Sequence, residues 1–434
     1  MQPANHKSTK RLRRRPLGRY RYVRLRWRIM FTLIDTLGAM LFASARLLRR
    51  SFASAASEIN YDPLRILLIQ LDHMGDAIIT TVMLPLLRRR YPQASIEVLC
   101  GPWNRELFES IGHVDRVHVS RLNRFLRGDS RSFFTRFAWA GAVFAQGLRL
   151  RRCKFDLGID VRGEFPHALM LWLAGVRRRL GWTCGGGGFM LTDTAPFVPD
   201  RPEVDSRLAL LEQLGIKPAD GSEARPRYNP TSSSERSVAS MLDELGLHEQ
   251  TTRVALHVSA GTTAKRWPVE HWRTLLDMLK LSVPENIQLQ VVLIGGSADR
   301  QISRHIIGDR DLDGVVDLTG RLNVVELAAL LQRVDLLIGG DSGPAHLAAA
   351  VGTPVVALFS GTNNHRQWQP CGPDVVVLRH PVDCSPCHRH QCPLAGHPCM
   401  HKLEPASVAR AAGQYISLTG LLQNCESRAH VKES

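Results

Sequence analysis

The chain predicts an α/β protein built from parallel sheets in two Rossmann-like halves. Three observations lead there. Short apolar, branched runs recur, each followed by a Gly/Asp/Ser turn and then a helical stretch. The series occurs twice, on either side of a Pro/Ser-rich segment at 217–234. At 434 residues the chain also exceeds what one core usually organises. The expected division is an extension at 1–60, an N-terminal domain at 61–216, the linker at 217–234 and a C-terminal domain at 235–425.

In the first series, residues 65–71 (RILLIQL) read as a buried parallel strand. The turn Asp72-His73-Met74-Gly75-Asp76 follows, with a helix expected over 77–90 and a strand over 95–100, completing a βαβ unit. Residues 121–154 are Arg-rich and interleaved with Phe125, Phe133, Phe134, Phe137 and Trp139. They read either as a surface helix with Arg outward and aromatics inward, or as a lid or membrane-facing surface receiving an anionic, lipid-linked substrate. A strand is expected over 155–161, placing Asp160, Arg162, Gly163 and Glu164 at its carboxyl end, on the ligand side. Gly185–Gly188 reads as a flexible turn; no GK[ST] follows it, so it is not a phosphate loop.

The second series opens with a strand at 254–258 and the loop Ser259-Ala260-Gly261-Thr262-Thr263-Ala264-Lys265-Arg266. Ser259, Gly261, Thr262 and Thr263 are small enough to let amides and hydroxyls approach phosphate oxygens, and Lys265 supplies a positive charge; a plain polar turn is the alternative. A helix over 269–279, a strand over 289–294 and a helix over 324–333 lead to LLIGGDSGPAHLAAA at 336–350. This last stretch reads as strand, tight turn and helix start. Asp341 or Ser342 can cap the helix and Pro344 suits its first turn, so free N–H groups and the positive dipole end make an anion site beside Ser342, Gly343 and His346. No G-x-G-x-x-G follows a strand, which disfavours a dinucleotide oxidoreductase.

The formal charge of +16 is uneven. Residues 1–60 hold fourteen Lys/Arg against Asp35 and Glu58, giving +12 and leaving +4 for the rest. An Arg run at 7–28 precedes an apolar stretch at 29–48, whose polar residues Arg28, Thr32, Asp35, Thr36 and Arg46 fall near helical spacing. This predicts a helix lying in the headgroup plane on an anionic membrane surface; a solvated arm or a nucleic-acid contact is the alternative, though no RNA-binding signature follows. A late start and the lack of a convincing small-residue cleavage site disfavour a secretory signal, so the body is expected in the cytosol.

Cys384, Cys387, Cys392 and Cys399 cluster among His388, His390, His397 and His401. In a reducing compartment the spacing reads either as a structural zinc site or as free buried thiols.

Together, RILLIQLDHMGDAIITTVMLPLLRRRYP, ALHVSAGTTAKRWPVEHW, VVLIGGSADR, DLTGRLNVVELAALL and GGDSGPAHLAAAVGTPVVALF resemble the ADP-heptose:lipopolysaccharide heptosyltransferases of glycosyltransferase family nine, over about 64–422. The resemblance implies the GT-B architecture and an inverting transfer of heptose or a related sugar from a nucleotide-sugar to a lipid-linked glycan; another GT-B enzyme using a different nucleotide-sugar, or a non-catalytic membrane-associated glycan- or nucleotide-binding scaffold, is the alternative. It implies Asp76 as general base, with a helix cap as that residue's alternative, and Lys265, Asp341, Ser342, Gly343 and His346 on the donor sugar and diphosphate. Gly75, Asp160 and Arg162 fall on the acceptor side. There the chain departs from the common pattern: Leu-Asp-His precedes Gly75 in place of Ser-Ser, and Asp-Val-Arg-Gly stands for Asp-Leu-Gln-Gly. No DxD-type metal pair is evident, so chemistry without an obligatory metal is expected, and no nucleic-acid partner. The cysteine segment is expected to pin the loop after the last strand. The implied location is peripheral, at the inner face of the bacterial inner membrane.

Overall fold

The computed structural model describes residues 20, 25–50, 62–122, 133–247, 251–282, 288–310 and 312–416. The Arg run before residue 20 and Cys425 lie outside them, as do residues 123–132 of the basic aromatic stretch. In chain order the first elements are α1 (Leu25–Arg50), β1 (Arg65–Gln70), α2 (Met74–Thr80), α3 (Met83–Arg90), β2 (Ser95–Cys100), α4 (Arg105–Glu109), β3 (Arg116–Val119), α5 (Phe133–Arg151), β4 (Leu157–Asp160), α6 (Phe165–Leu173), β5 (Arg178–Trp182), β6 (Asp193–Ala195) and α7 (Glu203–Glu212). There follow α8 (Ser232–Glu244), β7 (Thr252–His257), α9 (Val269–Ser282), β8 (Leu289–Ile294), α10 (Arg300–Ile307), β9 (Val315–Asp317), α11 (Val324–Gln332), β10 (Leu336–Gly340), α12 (Gly343–Val351), β11 (Val355–Phe359), α13 (His365–Trp368), β12 (Val375–Arg379) and α14 (Pro398–His401).

The strands form two six-stranded sheets, β3-β2-β1-β4-β5-β6 and β12-β11-β10-β7-β8-β9. Both orders are doubly wound, reversing where the first and fourth strands of each series lie side by side. The apolar runs are buried on both faces, as helix-covered parallel strands must be: β7 and β10 have no residue outside the buried class.

Contacts divide the chain into two compact units, residues 1–69 with 128–199, and 70–127 with 200–434. In the first, β1 pairs β4 with Ile66 opposite Leu157, and β4 pairs β5 with Leu157 opposite Arg178. Strand β4 is shorter than the run at 155–161 because the Asp160 carboxylate folds the chain into a turn at its end. It accepts the N–H groups of Arg162, Gly163 and Glu164 at 3.1, 2.9 and 3.0 Å. The Gly185–Gly188 turn is a packing surface for α1: a Cβ on Gly186 would overlap Phe31, and Gly187 N–H donates to Asp35 Oδ1 at 2.7 Å. In α5, Val143, Gly147 and Leu150 are buried and Trp139 is half-buried, while Phe144 and Leu148 are exposed.

In the second unit, α2 begins at Met74, earlier than periodicity alone suggests, and the helical stretch breaks after Thr80. Pro85 explains the break: it lacks an N–H and crowds the carbonyl four residues back, and Val82 and Leu84 bond Ile79 and Thr81 at three-residue spacing. Strand β10 lies between β7 and β11 with Gly339 opposite His257 and Ala357. Beneath it, Val254, Leu256, Leu293, Ile338, Val356 and Leu358 pack with Trp272 and Leu276. Helix α11 opens with a capping box, Asn323 Oδ1 accepting from Val325 and Glu326 while Glu326 accepts the Asn323 N–H. Residues 217–231 carry no helix or strand.

Candidate active site

The second sheet reverses between β7 and β10, where an open α/β sheet offers a crevice outside its strand ends. A cavity of about 610 Å³ lies there, lined from β7 onward by His257, Ser259 and Gly261 and from the β10–α12 turn by Ser342, Gly343 and Pro344. Ser342 is the N-cap of α12 with extended backbone, yet its side chain makes no cap bond; Pro344 falls in the first turn as its fixed φ favours. The Ser342 hydroxyl instead donates to Gly340 O at 3.1 Å and meets His257 Nδ1 at 3.0 Å. With a single hydroxyl proton, both contacts hold when Nδ1 carries the imidazole proton. Burial lowers His257 to a pKa of about 4, so the ring is neutral near pH 7. Gly339 makes this possible: a Cβ there would sit 3.0 Å from His257 Cβ.

Lys265 ends a short 3₁₀ turn, Thr263–Lys265, and its ammonium donates to Asp341 Oδ2 at 2.6 Å. Asn363 Nδ2 donates to the same oxygen at 2.8 Å. Lys265 is therefore bound to a site carboxylate, and the cationic side chain lining the cavity is its exposed neighbour Arg266. Ser259 Oγ donates to Asp299 Oδ1 at 2.5 Å, and Asp299 Oδ2 accepts Gly296 N–H at 2.9 Å. Thr263 is turned away from the cavity's polar groups, its hydroxyl donating to His390 O at 3.1 Å. The Thr262 hydroxyl is buried without a hydrogen-bond partner.

Helix α2 packs its first turn on that of α12, and His73, Met74 and Gly75 line the same cavity. The contact needs glycine twice: a Cβ on Gly75 would lie 3.0 Å from His346 Cδ2, and one on Gly343 would overlap Met74 Cε. His346 is buried, which lowers its pKa to about 4 although Asp341 acts in the opposite sense. Asp76 is not a helix cap: His73 occupies that position, and Asp76 lies within the first turn of α2, 6 % exposed. It does not line the cavity; its Oδ1 is 3.9 Å from Arg207 Nη2. Arg207 is buried, held by Glu203 Oε2 at 2.9 Å and Thr80 Oγ1 at 3.4 Å.

In the other unit, Asp160 is fully buried. Beyond the three turn amides it accepts from His167 Nδ1 at 2.9 Å, and Arg162 lies 3.9 Å from Glu164. These contacts make Asp160 the organiser of the turn that enters α6.

The cysteine segment lies against the Lys265 turn. His390 O accepts Ala264 N–H at 3.1 Å, His397 Nε2 bonds Ala264 O at 3.0 Å, and Trp267 Nε1 donates to Leu403 O at 2.9 Å. Cys384, Cys387, Cys392 and Cys399 are free thiols, and burial raises the Cys399 thiol with the other three adding to it. Among the described residues no three His, Cys, Asp or Glu side chains converge as a metal site. The segment buttresses the loop through main-chain and side-chain hydrogen bonds, two of them to Ala264.

Sequence reasoning misses His257 beside Ser342, Arg266 beside Lys265, Asp299 beside Ser259, Trp103 in the cavity wall, and Arg207. Proximity in chain to the Gly-rich loop was the available signal for Arg266. Arg207 gave none, because its partner Asp76 lies far away in sequence.

Two doubly wound sheets, with an uncapped helix start and a Gly/Ser loop at the switch point of one, define an α/β enzyme of the anion-binding, nucleotide-handling kind. The glycosyltransferase family 9 (heptosyltransferase) model matches residues 143–397, and the chain belongs to that family and is a glycosyltransferase. It is 26% identical over 317 residues to lipopolysaccharide heptosyltransferase 3 of Escherichia coli (strain K12), spanning 70% of this chain and 84% of that relative. In fold it is similar to the family 9 glycosyl transferase of Veillonella parvula, with TM-score 0.66 and 21% identity over 84% of this chain and 99% of the other. It is also similar to E. coli heptosyltransferase WaaC with ADP, with TM-score 0.62 and 18% identity over 81% and 99%.

Proposed function

We propose that the chain transfers a heptose from a nucleotide-sugar, with ADP-heptose as donor, to a lipid-linked core glycan, inverting the anomeric centre. The observation that carries this is the cavity at the β7/β10 switch point, where the α12 start and the 259–266 loop converge in a family 9 chain. A relative matched over most of its length is named for lipopolysaccharide heptosyl transfer, and WaaC holds ADP in its structure. In this reading residues 235–425 bind the donor and 61–216 the acceptor.

The α12 N–H groups and Arg266 would offset the charge of the departing diphosphate, with Lys265 poised on Asp341 beside them. Ser259 and Gly261 of the same loop line the cavity, where a ligand oxygen could reach them. Asp76 would take the proton from the acceptor hydroxyl as that oxygen attacks the anomeric carbon and the bond to the diphosphate breaks. Its support is its place next to Gly75, which lines the cavity, and the Arg207 guanidinium beside it. Gly75 would then border the acceptor, while Asp160 and Arg162 would shape the acceptor side through the turn into α6. No step requires a metal. A lipid-linked acceptor places the enzyme at the cytoplasmic face of the inner membrane, held to an anionic surface.

Thermal-shift titration with ADP-, UDP-, GDP- and CMP-sugars tests the donor, because a ligand at a hundred times its Kd stabilises by about 2.7 kcal/mol. Stabilisation by the ADP-sugar alone is expected. A stronger response to another nucleotide, or none to ADP, would refute the assignment.

A further inference from the structure

We infer that α1 is a lipid-insertion surface, its exposed stripe of Ile29, Leu33, Leu37, Met40 and Leu41 entering the acyl boundary of an anionic phospholipid bilayer. The lipid-linked acceptor proposed above explains why such a surface would serve this enzyme; the binding itself does not depend on that reading.

Helix α1 docks on the protein through the side that carries Asp35 and leaves an apolar side exposed. Asp35, the acid of the apolar stretch, points into the protein: it is 7 % exposed and accepts Gly187 N–H at 2.7 Å and Tyr20 Oη–H at 2.9 Å. Phe31 packs on Gly186 and Phe165, Gly38 on Phe189, and Phe42 on Phe189 and Trp172 with ring centroids 5.1 and 5.6 Å apart. The inward face is thus Phe31, Asp35, Gly38 and Phe42, at successive steps of four, three and four.

The outward face is apolar, with Leu33, Leu37, Met40 and Leu41 between 60% and 71% exposed. Its polar members do not require water. Thr32 and Thr36 donate back to the carbonyls of Arg28 and Thr32 at 2.7 Å each, the means by which hydroxyls are tolerated in apolar surroundings. From Ile29 to Leu41 the stripe runs about 18 Å along the axis. Among the described residues no helix is long and apolar enough to cross a membrane, so a helix lying flat is the geometry left for this one.

Charge selects the occupant. Fourteen Lys/Arg against two acids in the first sixty residues precede and flank this stripe, which suits phosphate headgroups and not a second, equally basic copy of the chain. Trp27, at the basic end, and Trp172, beside Phe42, are both exposed at the rim, where amphipathic rings sit in membrane interfaces.

Flotation of the full chain with vesicles tests this, using equimolar phosphatidylglycerol and phosphatidylcholine against phosphatidylcholine alone. The chain should float with the anionic vesicles, less so at high salt but still measurably, because apolar burial is not screened. Leu33→Gln/Leu37→Gln should reduce partitioning about a hundredfold without moving the melting temperature, since both positions are exposed. Binding of that variant equal to wild type would overturn the proposal. So would a lipid-free dimer, seen by sedimentation equilibrium, that the same pair of changes dissolves. Neither donor nor acceptor is present, so failure here leaves the transferase reading untouched.

Discussion

Replacing Lys265 by Met should destabilise the fold as well as the site. The ammonium lies 2.6 Å from Asp341 Oδ2, with the two side chains 20% and 7% exposed. Removing one member of a buried pair costs about 3–5 kcal/mol, because the remaining charge is left without compensation. Two features reduce that here: a fifth of Lys265 is already solvated, and Asn363 keeps one hydrogen bond on the abandoned carboxylate. A loss of ~2 kcal/mol is expected. Asp341→Asn should cost less, ~1 kcal/mol, since the freed lysine can turn to water. The double variant should then show a coupling of ~1 kcal/mol in urea unfolding at neutral pH. Singles that add without coupling, or a Lys265→Met variant as stable as wild type, would refute the reasoning that the pair is a structural latch on the donor loop.

Arg266→Ala should separate from this, leaving stability within about 0.5 kcal/mol because the side chain is exposed. By calorimetric titration it should weaken ADP binding about tenfold or more; unchanged affinity would remove Arg266 from the diphosphate site. Gly75→Val should cost ~1–3 kcal/mol in unfolding, since its Cβ meets buried His346 at 3.0 Å and β-branching adds bulk, whereas a neutral result would deny the close α2–α12 approach. His257 and His346 are depressed from 6.5 to about 4 by burial, so the unfolded chain binds more protons than the folded one between those values. Their contribution is fully present above pH 6.5 and is lost as pH falls toward 4, on the order of 3 kcal/mol for each. The slope of stability against pH across that window should fall by about one proton in His346→Gln, and an unchanged slope would show that His346 does not stay neutral.

The strands and the turn at Asp341–Gly343 were readable because a parallel central strand must be an uninterrupted apolar run and a helix entered through Ser-Gly-Pro has little choice of geometry. The α2 boundary was less so: periodicity marks the buried residues after Asp76, while the helix actually opens one turn earlier at Met74. That Asp35 faces the protein is not legible locally, because its carboxylate is satisfied by the Gly187 amide 152 residues away, a partner no local pattern indicates. The same holds for Arg207 beside Asp76 and for Lys265 on Asp341. Sequence spacing finds side chains that share an element. It does not find pairs that the sheet topology brings together.

Turnover by Asp76→Asn most directly tests the central claim that Asp76, next to the cavity-lining Gly75 on α2, acts as the general base. The assay is ADP release from ADP-heptose with a soluble core oligosaccharide, run beside ADP affinity and the melting temperature. Loss of the base should lower kcat by roughly a hundred- to ten-thousand-fold while ADP affinity and melting stay near wild type. A variant that turns over normally, or one whose lost activity is matched by lost stability, would contradict the account and make Asp76 only the buried partner of Arg207.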